Sequence, residues 1–438
     1  MRPDSKVARP LRILVIAPEP IKPEHHGGDL RLYWLLAFLA KSHHVTLCTI
    51  FDRAGEEIDP NYGESCRQIG LRYFRFTGHD ALKSELLSRV YDVVIFEFWL
   101  PAQFLAGFIR GLQPWIRIVV DSVDVAFRRE EASLAFGISD PAKVELDKQQ
   151  EISTYRAADA VVCISGEDAR LLEAQGGMSR RFVIPLLVPE RPRSSMARGP
   201  EMLFLGGFRH TPNSDGLRWF ASEIWPIIRG NSPVARLTVI GSNPTPEVLE
   251  LSKIDGIDVI GFVPDVGPYL DRAEFMVAPL RFGSGVKTKV VEAMASGLAV
   301  LTTSVGSQGL DVVPGEQIMI ADEPVEFARA ARELLEDPER AERIGSAARA
   351  YVSDTYSYQT VGSAMEAMLV EVVGQRRLTV PQGLWVIKSL VDRTKRTVRR
   401  MPLLKRLIQG AIRPFRRPAG SPSTDPSPGP CRGEKVSP

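Results

Sequence analysis

The sequence predicts an α/β protein of two consecutive parallel-sheet domains with a cleft between them, followed by a basic amphipathic segment and a disordered tail. Three observations carry this expectation. Short runs of β-branched residues and Leu alternate with helix-length segments along most of the chain, the pattern of βαβ units. A Pro, Arg and Ser stretch (PERPRSSMARGP, residues 189–200) interrupts the alternation once, and a second series of the same kind follows. Beyond residue 375 both charge and composition change abruptly. The expected boundaries are 10–190 and 200–372 for the two domains, 376–417 for the basic segment and 418–438 for the tail.

In the first domain, Leu11–Ala17 reads as a buried strand followed by a Pro-rich loop, and Gly27-Gly28 opens a helical pattern through Lys41. Val45–Ile50, Val93–Phe96, Ile118–Val120 and Ala160–Ile164 continue the strand series, with Val183–Leu187 a weaker member. In the second, Met202–Leu205, Leu237–Ile240, Val259–Ile260, Phe275–Ala278 and Ala299–Thr302 repeat it, and a helical pattern near Gln359–Val373 ends it. Ligands of open α/β sheets sit at the carboxyl ends of the strands, so the cleft between the domains is where a site is expected.

Composition narrows the class. At 438 residues the chain is long enough for two or three independent cores, and its 4 Cys, at positions 48, 66, 163 and 431, lack the close spacing of a disulfide framework or a zinc knuckle. No apolar run reaches the length of a membrane span, and Met1–Pro10 lacks the apolar core of a signal peptide, so a cytoplasmic location is expected. The net charge of +2 is an average of unlike parts. Residues 376–417 hold thirteen Lys/Arg and one acid, Asp392, whereas residues 1–375 sum to −10.

The most informative stretch runs from Phe282 to Leu301 (FGSGVKTKVVEAMASGLAVL). It follows a strand, and its glycines lead into a helix that ends near Gly297. Gly283 and Gly285 let the backbone approach a ligand, while the free N–H groups and dipole of the helix start favour phosphate. Lys287 and Lys289 add positive charge at the same end. Glu292 lies three residues beyond Lys289 on the same helix face, where a carboxylate can accept from two neighbouring sugar hydroxyls. Taken alone, these residues also fit a capped core helix with a surface Lys/Glu pair.

The pattern G-x-G-x-K-x-K-x-x-E-A-x-A-x-G resembles the nucleotide-sugar motif of retaining glycosyltransferases with two Rossmann-like domains (GT-B), specifically family 4. The resemblance extends in order from Leu11 to Val370: a first strand with a Gly-Gly loop, AADAVVCISGEDARLL, GGFRHTPNSDGLRWF and then the motif. It implies a fold of two Rossmann-like domains, a nucleotide-diphosphate sugar as donor, and transfer with retention. It assigns Glu292 to the donor ribose and Gly283, Ser284, Gly285 and Val286 to the diphosphate and sugar. The family often carries two glutamates eight residues apart, and the first falls here on Ser284, which leaves the donor sugar unassigned.

The same resemblance matches Arg209, in Gly206-Gly207-Phe208-Arg209, to a phosphate-binding arginine whose fork of donors suits a diphosphate. Where relatives place a lysine about six residues later this chain has Asp215, so Lys287 or Lys289 is expected to take that charge. Asn213, Ser214 and Asp215 read as caps of the following helix. Gly28 falls where the first domain approaches the donor phosphates and the acceptor, though Gly27 and Gly28 also fit a plain turn. Arg31, one turn into the helix, can contribute a positive charge to the cleft, and His25 and His26 border the acceptor side or are solvated loop residues.

Asp121 and Asp124 follow the strand at Ile118–Val120, where the family commonly has a His or Asp contacting sugar or acceptor. A carboxylate there can stabilise positive charge at the anomeric carbon or orient an acceptor hydroxyl. Asp124 is the first choice, Asp121 the second, and Glu97 holds an equivalent strand-end position; a turn or cap role is the alternative for one of the two aspartates. His43-His44 matches a structural bend, and Trp34, Phe38, Trp219, Phe220 and Trp225 fit helix faces as core.

Between Ile387 and Phe415 apolar residues recur at steps of three or four among the Lys/Arg positions, with Pro402 a break. Such a stretch suits adsorption to an anionic membrane surface or docking on the acidic body. No stacking platform accompanies the charge, and nucleic acid is not expected as a partner. The last 21 residues hold six prolines and no net charge and are expected to be disordered. The expected activity is that of a glycosyltransferase acting on a glycan or lipid-linked acceptor, without a metal, in cell-surface polysaccharide or glycolipid synthesis. A nucleotide-sugar epimerase of the same architecture and a non-catalytic membrane-associated scaffold are the alternatives.

Overall fold

The computed structural model describes residues 9–21, 27–51, 61–134, 140–177, 180–188, 199–283 and 285–374. Segments 376–417 and 418–438, most of the linker, His25, His26 and Ser284 lie outside the described residues.

The first domain is a seven-stranded parallel sheet of β1 (Arg12–Ala17), β2 (His44–Thr49), β3 (Arg72–Arg75), β4 (Val93–Glu97), β5 (Arg117–Asp121), β6 (Ala160–Cys163) and β7 (Arg180–Val183). The strand order is 3-2-1-4-5-6-7, so the topology switches direction between β1 and β4. The second domain holds β8 (Glu201–Leu205), β9 (Arg236–Ile240), β10 (Ile257–Gly261), β11 (Phe275–Ala278), β12 (Ala299–Thr302) and β13 (Met319–Ile320). Its order is 10-9-8-11-12-13, with the switch between β8 and β11. Both are open doubly wound sheets, and each switch leaves a crevice at the carboxyl ends of its strands.

The central strands β4, β5, β11 and β12 are buried along their whole length because helices cover both faces, which is why they read as unbroken apolar runs. Two apolar clusters lie on opposite faces of each sheet. The seventh strand overlaps the expected Val183–Leu187 run only at Val183, and β3 and β13 have no counterpart among the expected strands. β3 is four residues of RYFR with only partial burial, and β13 is two residues long, so neither leaves a recognisable apolar run.

The helical pattern from Thr211 to Asn231 is one continuous helix with a π turn at Phe220–Ile224. Pro226 lies two residues beyond that turn. A proline inside a helix lacks one N–H and crowds the preceding carbonyls, and the widened turn absorbs both effects. Gly216 in this helix packs so closely on the end of β11 that a Cβ would lie 2.2 Å from the carbonyl oxygen of Pro279.

The last described helix, Tyr358–Val373, corrects one expectation. Its Val361, Met365, Met368, Leu369 and Val372 enter the apolar cluster of the first domain, although the sequence boundary of 200–372 placed it with the second. It is held there by His43 Nε2 against Glu366 (2.9 Å), Arg180 against Glu371 (2.5 Å) and Phe38 packed on Gly362. The chain therefore passes between the domains twice, and Val188 N donates to Tyr356 O (3.1 Å) where the two passages meet.

Candidate functional site

Each crevice is lined by the turns that follow its central strands. In the second domain, β8 leads through Gly206–His210 into the helix beginning at Thr211, and β11 leads through Pro279–Lys287 into the helix Thr288–Ala295. Gly283 and Gly285 adopt φ of 126° and 71°, values that favour glycine, so the glycines of the motif are needed by the backbone itself. The opening residues of the two helices are tied together. Lys289 Nζ donates to Asn213 Oδ1 (2.7 Å) and lies 4.7 Å from the centre of the Phe204 ring, while Asn213 Nδ2 donates to Gly207 O (2.9 Å).

Asn213, Ser214 and Asp215 thus do other work than capping, for the N-cap is His210. Ser214 Oγ donates to Phe208 O (3.2 Å) and Asp215 takes both arms of Arg281 (2.8 and 2.5 Å). The acid that stands where the resemblance leads one to expect a lysine anchors the base of the glycine loop. Arg209 is exposed on the same turn.

The charged groups of this turn and helix are perturbed by their surroundings. Burial first, and then Arg128 of the first domain, lowers Lys287 to about 8, and its Nζ donates to Gly285 O (2.6 Å). Burial and the charge of Lys287 lower Lys289 to about 7. Burial raises Glu292 to about 7, and no hydrogen bond joins its carboxylate to another described residue. His210, open to the cleft but surrounded by protein mass, Lys289, Lys287 and Arg129, is pushed down to about 4. Val286 differs from its neighbours: its side chain is buried in an apolar cluster with Ile164, Leu186 and Val188, so only its backbone can face a ligand.

The first domain presents the turns after β1, β4 and β5. Phe98, directly after β4, and Val123, two residues after β5, have φ of 66° and 58°, and Asn243 after β9 has 55°; these are the non-glycine residues with positive φ among the described residues. Backbone strain of this kind gathers at the strand ends that face the cleft. Gly28 sits in the first turn of the helix Gly27–Leu39, which follows β1.

The two aspartates after β5 have different fates. Asp121 is 2% exposed and accepts from Arg31 at 2.5 Å, while the other Arg31 nitrogens donate to the carbonyls of Ile184 (3.0 Å) and Pro185 (3.1 Å). Its second oxygen accepts from Val123 N (3.2 Å). This corrects the expectation for both Asp121 and Arg31: the pair is a buried tie between β5, the helix after β1 and the segment leaving the domain, and its polar groups are consumed by one another. Glu97 is likewise buried at 8% exposure.

Asp124 remains at the surface of the crevice. One oxygen pairs with Arg129, and the other, Oδ1, is buried with no partner among the described residues. A Cβ placed on Gly285 would lie 3.9 Å from the Asp124 side chain, so this carboxylate stands directly opposite the glycine loop of the other domain. Nearby, Ser165 caps the helix Gly166–Ala174, Arg128 pairs with Glu167, and Gly309 of the second domain closes on Ser165 and Val286. The structure therefore brings Asp124, Gly283, Gly285, Lys287, Lys289 and Glu292 to one rim region. Arg128, Arg129 and His210 join them without any sequence signal, because they carry no motif and only the packing of the domains brings them to the cleft.

Comparison with known proteins agrees with this fold. The family model described as Glycosyl transferases group 1 matches residues 199–337. An uncharacterized 44.6 kDa protein in the cps region of Klebsiella pneumoniae is 24% identical over 384 residues, covering 81% of this chain and 98% of its own. The D-inositol 3-phosphate glycosyltransferase of Streptomyces avermitilis is 24% identical over 310 residues, 63% of this chain and 64% of that protein. Among solved structures, Anabaena HepE in complex with UDP superposes with a TM-score of 0.63 at 14% identity, over 82% of this chain and 100% of that one. The fold is GT-B, and the match of residues 199–337 to the group 1 glycosyltransferase model supports a transferase activity.

Proposed function

We propose that this glycosyltransferase moves a sugar, with retention of configuration, from a nucleoside-diphosphate sugar to a glycan or lipid-linked acceptor in cell-surface polysaccharide or glycolipid synthesis. The observation that carries the reading is the Gly283–Glu292 loop and helix, perturbed in charge and set opposite Asp124. The relative in a cps region supports the polysaccharide context, and HepE, crystallised with UDP and also with UDP-glucose, supports a nucleotide-sugar donor.

In this reading the loop backbone at Gly283, Ser284, Gly285 and Val286 and the start of the helix Thr288–Ala295 receive the diphosphate. Lys287, Lys289 and Arg209 neutralise it, so the departing nucleotide is stabilised without a metal. A buried amine near its transition between neutral and charged forms takes up a proton as the phosphate arrives, which strengthens the contact. Glu292 accepts from the ribose hydroxyls. Asp124 faces the anomeric carbon and stabilises the positive charge that develops there as the nucleotide leaves. Gly28 borders the donor phosphates and the acceptor.

The acceptor and the cell surface enter through the basic segment 376–417. Its charge and amphipathic spacing suit an anionic membrane, which would hold a cytoplasmic enzyme at the inner face of the cell membrane.

The test is ligand-detected binding and turnover against UDP-, GDP- and ADP-sugars, with Glu292→Ala in parallel. One donor family is expected to bind, and Glu292→Ala is expected to weaken it roughly 100-fold, the loss of two hydrogen bonds to a charged acceptor. Unchanged binding and turnover in Glu292→Ala would sink the site assignment. Conversion of donor alone to an isomer would identify an epimerase, and an absence of donor binding would leave a scaffold. For the basic segment, deletion of 376–438 should abolish co-sedimentation with anionic liposomes.

A further inference from the structure

The helix Ala126–Leu134 begins two residues after Asp124. Its first two N–H groups are met from a distant element: Ala126 N donates to Glu151 Oε1 (3.0 Å) and Phe127 N to Glu151 Oε2 (2.9 Å). Glu151 belongs to the helix Pro141–Ala157 and is 1% exposed. Tyr155, one turn further along that helix and fully buried, donates its hydroxyl to Glu151 Oε1 (2.8 Å).

A carboxylate taken out of water at this depth is costly unless its lone pairs are filled, and here three donors fill them. Burial nevertheless raises Glu151 to about 8. For a plain cap on a surface helix, Ser, Thr, Asn or Asp at the preceding position does the same work at far lower cost. The position before this helix is Val125, which has no side-chain acceptor and is itself buried in the core. The cap therefore comes from another helix and fixes the turn from the far side.

The other end of the same turn is fixed as well. Ser122 N and Oγ both donate to Val162 O (2.9 Å each), and Asp124 N donates to Ser122 O (2.6 Å). Between these anchors Val123 is held at φ of 58°, a strained value for a β-branched residue, and that conformation directs Asp124 toward Gly285. A strained turn persists only where its surroundings over-determine it, and Glu151 supplies the constraint on its exit.

We propose that Glu151 is a positioning residue for the transfer reaction: by capping Ala126 and Phe127 it holds the Ser122–Val125 turn so that the Asp124 carboxylate faces the glycine loop. The proposal rests on the reading of Asp124 given above. It assigns Glu151 no contact with substrate, and its effect passes entirely through Asp124.

The test is a double-mutant cycle on the full chain with the sugar nucleotide that the wild type turns over, following release of the nucleoside diphosphate and measuring nucleoside-diphosphate affinity separately. Glu151→Ala is expected to lower kcat roughly 100-fold, the cost of an ångström-scale displacement of a reacting group, with donor KM and nucleotide affinity within about twofold of wild type. Glu151→Gln, which retains a carbonyl acceptor, should recover about tenfold of that loss. Asp124→Asn should lower kcat at least as far, and Asp124→Asn with Glu151→Ala should be no slower than Asp124→Asn alone. Multiplicative losses in the double variant, an equal rise in KM, or an unchanged kcat in Glu151→Ala would each overturn the proposal. An unchanged kcat in Asp124→Asn would instead overturn the role of Asp124, whatever Glu151 does. If Glu151→Ala fails to fold, Glu151→Gln carries the same cycle, judged by the same coupling.

Discussion

The two rims of the cleft are built on different electrostatic plans. On the first-domain rim, charges are matched within the protein: Arg31 with Asp121, Arg129 with Asp124, Arg128 with Glu167. On the second-domain rim, no carboxylate among the described residues pairs with Lys289, and no cation pairs with Glu292. Burial drives both toward their neutral forms. Matched charges hold geometry; unmatched ones, kept near their titration points, are available to an ionic ligand. In the proposed function, the cleft thus has a side that is finished before substrate arrives and a side that the substrate completes.

The largest effect should come from breaking the finished side. Arg31→Met leaves Asp121 as an uncompensated buried charge and should cost about 3–5 kcal/mol in urea unfolding. Replacing both, with Arg31→Met and Asp121→Leu, should recover part of that loss, because the stranded carboxylate is removed. A cost below about 1 kcal/mol in the single variant would mean that the matched side is not structural.

Next in size is the unfinished side. Lys289→Met should weaken nucleoside-diphosphate binding about tenfold while costing the ligand-free protein no more than about 1–2 kcal/mol, since relief of the buried amine offsets part of the donor lost to Asn213 Oδ1. Calorimetry with UDP and thermal unfolding of the free protein check the two halves. A variant that loses stability but keeps its affinity would reverse the assignment of the two rims.

The pH dependence sharpens the same contrast. Lys289 near 7 and Lys287 near 8 lose their charge as pH rises through those values, and Glu292 near 7 loses its charge as pH falls through 7. The free protein's affinity for UDP should therefore fall on both sides of neutrality. Glu292→Gln should flatten the acid limb, and Lys289→Met should move the alkaline limb toward the titration of Lys287. Titration across about pH 5.5 to 9.5 measures this, and a flat profile would contradict it. The smallest effect belongs to the surface tie at the base of the loop: Asp215→Ala, which frees a half-exposed Arg281, should cost about 0–1 kcal/mol and change donor affinity by no more than about threefold.

Much of this was legible in the chain. The two βαβ series, the glycine loop with its lysines and Glu292, and the order of segments all follow from local periodicity and spacing, because a buried parallel strand and a glycine-rich turn each leave a short-range signature. Asp121 and Asp124 are three residues apart on the same strand-end turn, and nothing in their neighbours separates them. What separates them is Arg31, ninety positions away, which claims one and leaves the other. The final helix was assigned to the second domain because it follows that domain in sequence, and its packing on the first depends on Phe38, His43 and Arg180. Asp215 read as a cap because its contact with Arg281 spans 66 residues.

The sequence by itself determined the α/β class, the position of the glycine-loop motif and the group of residues from which a site is drawn, since each depends on residues within about twenty positions of one another. Only the tertiary structure decided which carboxylate faces the cleft, which cations are matched, and that Glu151 and Arg31 act from afar on the turn around Asp124. Those outcomes depend on burial and on contacts between distant segments, and a charge has no defined state until the protein around it has determined its solvent and its partner.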